Sequence, residues 1–194
     1  MPDVIILWDS PLFFEHMFQE YGISSMVAAP ASLNSPHLPP AKLLVVPAGF
    51  TYPEHAAVSG ALADEKVRKK IFDFVENGGV FLIFSPLKEI GSCGACREPA
   101  VTDLARFGFE AEYTQTDILI LRGSPLTENT DSVYCDGYFQ NIGGVFSVIE
   151  TDDEGKAVHI AASLGKGKII LSSVHEFLSK AYFNSLLTGP KVKL

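Results

Sequence analysis

Cysteine is scarce in this chain: three in 194 residues, beside one tryptophan and three methionines. Three thiols do not make the paired framework of a small disulfide-stapled domain, so they read as thiols or metal ligands. Long hydrophobic runs are missing too. No stretch approaches the ~20 apolar residues that a membrane-spanning helix needs. Basic residues are in deficit, with 15 Lys and Arg against 23 Asp and Glu and a formal charge of −8. That balance argues against nucleic acid and anionic membrane as electrostatic partners. The first residues lack a basic leader ahead of an apolar core, so no signal peptide is expected and a cytoplasmic location follows. A phosphate-cradling loop is also lacking, because Gly165-Lys166-Gly167-Lys168 leads into a strand pattern rather than a helix.

What the chain does have is an ordinary globular balance, 47% hydrophobic and 20% charged. Its length suits a single domain over residues 1–194. Val4 to Trp8 fits a buried parallel strand, and Asp9-Ser10 then reads as a helix cap followed by Leu12, Phe13, His16, Met17 and Tyr21 at helical spacing. Phe13, Phe14 and Phe18 are expected in the core. Leu43 to Val46 is a further strand, ending in Pro47-Ala48-Gly49-Phe50, and residues 51–60 read as a loop or short helix. Asp64 caps an amphipathic helix whose apolar stripe is Val67, Ile71, Phe74 and Val75. Gly78-Gly79 stops it, and Val80 to Phe84 follows as a strand. This alternation predicts α/β architecture with parallel strands and right-handed crossovers. The second half is strand-rich, with turns at Asp152-Asp153-Glu154-Gly155 and Gly165-Lys166-Gly167 and a last helix over residues 176–187. The fold expected is therefore three-layer α/β, a mostly parallel central sheet with an antiparallel extension in the second half.

Ligands and catalytic groups gather at the carboxyl ends of strands in such sheets. Ser85 stands at one such end, where a nucleophile would sit. Pro86 follows it and has no backbone N–H to offer an oxyanion. Asp9, Ser10, Gly49 and Phe50 stand at the ends of other strands, and Tyr138 lies in the run Tyr134-Cys135-Asp136-Gly137-Tyr138-Phe139, in which Asp136-Gly137 reads as a turn-like element. These residues, with Ser85, are the candidate ligand contacts.

The order of these signals resembles the class I glutamine amidotransferase-like superfamily, a flavodoxin-like fold. Leu44-Val45-Val46-Pro47-Ala48-Gly49 is similar to that family's strand and oxyanion-hole turn. Phe72 to Ser85 is similar to the segment that leads to its nucleophile elbow. Gly165 to Glu176 is similar to the late strand that presents its His and Glu, which makes His175 the candidate base. The chain departs from the pattern at the elbow, where Gly-x-Cys-x-Gly is replaced by Ile83-Phe84-Ser85-Pro86-Leu87. His175 and Glu176 are adjacent, whereas the family separates its pair by one residue, and adjacent strand residues point to opposite faces. The resemblance thus implies an amidotransferase-like domain without glutaminase activity, holding a small ligand or a protein partner at the strand ends.

Two alternatives stay open. One is a hydrolase using Ser85 and His175. The other is a thiol or zinc site made by the pair Cys93-Gly94-Ala95-Cys96 with Cys135, which makes zinc the one candidate cofactor. Of the remaining histidines, His16 reads as a packed or surface residue of the first helix, and His37, His55 and His159 have no partner at ligand spacing in the sequence. Self-association is not decided by composition.

Overall fold

The computed structural model describes residues 1–10, 13–85, 111–121, 126–127, 132–175 and 177–194, with side chains of 117–121 excepted. Leu12, Pro86, Leu87, Cys93, Gly94, Ala95, Cys96 and Glu176, all named above, lie outside the described residues.

Four short apolar strands begin the fold: β1 (Val4–Leu7), β2 (Ser25–Ala28), β3 (Leu43–Val46) and β4 (Val80–Phe84). Every residue of β1, β3 and β4 is buried, as strands covered on both faces must be. They pair in parallel in the order β2-β1-β3-β4. The expectation that β1, β3 and β4 are neighbours in one parallel sheet is met. β5 (Glu112–Leu121), β6 (Val133–Gln140), β7 (Phe146–Thr151), β8 (Ala157–Leu164) and β9 (Gly167–Ser172) complete the sheet. β9 lies parallel beside β4, with Leu82 opposite Ile170, and every other pairing among β5–β9 is antiparallel.

Among the described residues four helices cover the sheet: α1 (Phe13–Glu20), α2 (Ala56–Ala63), α3 (Glu65–Glu76) and α4 (Lys180–Leu186). α3 starts where its sequence says, because the Asp64 carboxylate accepts from the N–H groups of Lys66 and Val67 at 2.9 and 3.0 Å. Val67, Ile71, Phe74 and Val75 form its buried stripe. α1 and α4 meet through Phe18 and Phe183, whose ring centroids are 4.9 Å apart. Burying each such large apolar side chain contributes about 1.5–3 kcal/mol.

Three local expectations are corrected. Of the first-helix aromatics only Phe18 is fully buried; Phe14 is partly buried and Phe13 is 78% exposed, because it sits on the outer side of α1. The last helix begins at Lys180 rather than at residue 176, since Ser179 supplies the cap by accepting from the Tyr182 N–H at 3.1 Å. Asp136-Gly137 is strand interior within β6, not the turn that its composition suggests.

The two predicted turns are present. Asp152 closes the β7–β8 connection by accepting from the N–H groups of Glu154 and Lys156, with Gly155 at φ +82°. Gly165, at φ +59°, turns β8 into β9, and a Cβ there would stand 2.5 Å from the Glu76 carbonyl oxygen.

Candidate functional site

The parallel strands all end on one edge of the sheet, and that edge carries Asp9, Gly49, Ser85 and the segment after β9. This segment leaves β8 and pairs with β6. Cys135 bridges Val174 in antiparallel fashion, the Asp136 N–H donates to Ser173 O at 2.8 Å, and the His175 N–H donates to Tyr134 O at 2.7 Å. In such a ribbon Asp136 and His175 are diagonal neighbours on one face, within reach of each other. His175 Nδ1 lies 2.9 Å from Asp136 Oδ1.

Ser85 follows Phe84, whose partner in β9 is Ser172, and so stands level with Ser173. Ser85 is 2% exposed, and its hydroxyl donates a long hydrogen bond of 3.4 Å to Asp136 Oδ2. Asp136 thus engages Ser85 with one oxygen and His175 with the other. Burial pushes the Asp136 carboxyl above its ordinary value, and the charge and hydrogen bond of His175 oppose that shift.

Behind this cluster sits Tyr113 on β5, fully buried, its phenol held above its ordinary range by burial. The phenol interacts with Ser85 but makes no hydrogen bond of ordinary geometry among the described residues. Gly137 makes room for it. A Cβ at that position would stand 2.2 Å from Thr114 O and 2.7 Å from Tyr113 Oη. Glycine inside a strand often marks such a close backbone approach.

Asp136 is the residue that reading the sequence missed. The signal available was an acidic residue inside an otherwise apolar and aromatic strand run. Its partners stand 51 positions before it and 39 after it, so no local pattern announces them.

A second pair stands further along the edge. Asp9 Oδ1 lies 2.8 Å from His55 Nδ1, and the His55 ring packs on Trp8 with centroids 4.2 Å apart. The expectation that His55 lacks a partner is therefore corrected: the turn Pro53–His55 after β3 carries it over the end of β1. Gly49, at φ +82°, turns the chain there and lies against the Tyr52 ring. Ser10 is exposed and Phe50 half-buried. Tyr138, half-buried on β6, faces Lys156, whose Nζ is 5.2 Å from the ring centroid.

Cys135 is 1% exposed within β6. Among the described residues, no group of three His, Cys, Asp or Glu side chains is placed to hold a metal ion. Cys93 and Cys96, the other members of the expected thiol cluster, are outside them. His159 is also buried, with Nε2 2.5 Å from the Tyr182 hydroxyl. It holds α4 to β8 rather than lining the edge.

The order of these three side chains decides what chemistry they can do. A serine hydrolase places histidine between serine and acid, so that the imidazole takes the serine proton. Here the acid stands between the other two. His175 turns Nδ1 to Asp136 and offers Nε2 outward, with its side chain 59% exposed.

No protein-family model matches the sequence, and no curated protein matches it either. Solved structures do. An exo-β-1,4-mannosidase from Opitutaceae bacterium strain TAV5 superposes at TM-score 0.56 with 13% identity, over 95% of this chain and 32% of that one. The chain thus spans about a third of that glycosidase's length. A candidate GMP synthase component from Thermoplasma acidophilum superposes at 0.53 with 14% identity, over 96% of this chain and 93% of that one. A cytoplasmic protein from Salmonella typhimurium gives 0.52 and 12%, over 99% and 100%. At these identities the likeness concerns fold alone. The chain has a three-layer, flavodoxin-like α/β fold, mostly parallel with an antiparallel extension, of the kind the Thermoplasma protein also adopts.

Proposed function

We propose that residues 1–194 form a single amidotransferase-like domain that does not hydrolyse glutamine and binds a small ligand at the carboxyl edge of its parallel strands. The observation that carries this reading is the position of Asp136 between Ser85 and His175. A carboxylate there holds the serine hydroxyl itself, so that the hydroxyl is turned away from the imidazole that would have to take its proton. Two sequence facts add weight: serine replaces the family's cysteine, and Pro86 has no N–H where an oxyanion donor is expected. Losing one such donor typically costs about 2.7–4 kcal/mol of transition-state stabilisation. The ligand contacts in this reading are Asp136, His175 and Ser85, with Asp9, Gly49 and Phe50 further along the edge. A cytoplasmic setting accords with the description of the Salmonella neighbour.

The test is ammonia release from glutamine by the purified protein, beside hydrolysis of an activated ester such as p-nitrophenyl acetate. The expected result is no turnover above background in either assay, with Ser85→Ala indistinguishable from the parent. Ammonia or nitrophenol release that disappears in Ser85→Ala would overturn this reading in favour of a serine hydrolase.

A further inference from the structure

We infer that the outer edge of β7 is a self-association surface, on which a second copy of this chain lays its own β7 antiparallel about a twofold axis at Ser147.

β7 pairs with β8 and, among the described residues, with no other strand, so its outer edge presents unpaired N–H and C=O groups. The side chains are equally open. Val145, just ahead of β7, and Val148 and Ile149 within it are 58%, 47% and 50% exposed. Three of the seven large apolar side chains that stand exposed among the described residues thus fall within five positions. Val148 and Ile149 are both open because the register against β8 shifts between Val148 and Glu150, which breaks the alternation of faces.

Edge strands are ordinarily blunted by charge, proline, a bulge or a covering element. Residues 144–149 hold no charged residue and no proline. The register shift is a blunting device, but it falls at the far end of the run. By contrast β2, the edge strand at the other end of the sheet, is buried or half-buried along its whole length.

The occupant follows from the sequence of the run. Val145-Phe146-Ser147-Val148-Ile149 reads apolar, apolar, serine, apolar, apolar in either direction. In an antiparallel pairing centred on Ser147, Val145 falls opposite Ile149 and Phe146 opposite Val148, each twice by symmetry, and the two serines meet at the axis. Charge does not oppose this pairing, although each copy carries −8. Glu150 falls opposite Gly144, and the two Glu150 side chains stand six positions apart, about 20 Å, well beyond the ~8 Å over which salt screens exposed charges. A strongly charged segment of another protein would find no opposite charge on residues 144–149, whereas a second copy matches them residue for residue. An edge of about 20 Å belongs with the small interfaces, below about 1,200 Å² in total, so the dimer is weak and depends on concentration.

Sedimentation equilibrium of the full chain from about 5 to 500 μM tests the surface, a range that brackets weak association. The mean mass is expected to climb from that of the monomer toward twice that value. Ser147→Lys and Ser147→Glu each set like charges face to face at the axis, and each is expected to raise the dissociation constant about fivefold. An equimolar mixture of the two sets opposite charges there and is expected to recover the wild-type value. Val148→Lys, at an exposed position, checks the same surface should the Ser147 variants not fold, with a rise of about tenfold expected. A chain that stays monomeric throughout overturns the inference. So does a dimer that all three variants leave unchanged, since it would use another surface. Weakening by both Ser147 variants with no recovery in the mixture overturns the twofold pairing at Ser147.

Discussion

His175 Nδ1 lies 2.9 Å from Asp136 Oδ1, a pairing of residues 39 positions apart. The chain achieves it by leaving β9 after Ser172 and forming a short antiparallel ribbon with β6, centred on Cys135 and Val174. Because Asp136 also receives the Ser85 hydroxyl, one partly buried carboxylate links the end of β4 to the exit of β9.

That carboxylate sets a pH dependence. Burial raises the Asp136 pKa above its ordinary value of 3.8. Below that value both folded and unfolded chains carry the proton. As pH rises the unfolded chain releases it first, so stability falls until the folded carboxyl has ionised as well. Wild type is therefore expected to lose stability relative to Asp136→Asn as pH rises above about 4. Urea midpoints of the two proteins across that range measure it, and a relative gain by wild type would mean that the His175 pairing outweighs burial.

His159 sets the opposite slope. Burial lowers its pKa from 6.5 to about 3, so the folded protein holds it neutral. The unfolded chain binds the proton first as pH falls, and stability declines from about pH 6.5 towards pH 3, by a few kcal/mol over the full window. His159→Gln is expected to flatten this decline. Tyr182→Phe leaves His159 Nε2 buried without its partner, at a cost of about 1–3 kcal/mol. Denaturant unfolding across pH checks both variants, and a decline as steep in His159→Gln as in wild type would count against the assignment.

Gly137→Ala tests the close approach of β5 and β6. The added methyl would stand 2.2 Å from the Thr114 carbonyl oxygen, which is backbone and cannot swing away. Overpacking of this kind costs about 1–3 kcal/mol. A thermal midpoint equal to that of wild type would show that the strands have room the structure does not show.

Asp64→Ala removes the cap of α3, which satisfies two backbone N–H groups. The expected loss is about 1 kcal/mol, read from the unfolding midpoint, with Asp64→Ser recovering most of it. A loss that disappears at high salt would point to charge rather than capping.

Elements whose causes are local were legible in the chain before any folding was considered. The runs Val4–Leu7, Leu43–Val46 and Val80–Phe84 are apolar throughout, which only a doubly covered parallel sheet accommodates, and the alternation with helices supplies their order. Asp64, Gly155 and Gly165 act on their immediate neighbours, so the helix start and the turns could be read directly. Ser85 and His175 were recognisable as strand-end residues for the same reason. What those residues meet depended on the assembled sheet. Asp136 pairs with both, and Asp9, which reads as a helix cap, pairs with His55. These contacts join residues 39 to 51 positions apart through a shared sheet edge. Hydrophobic periodicity reports which face of an element is buried; it carries no record of which polar side chains from distant strands converge at its end.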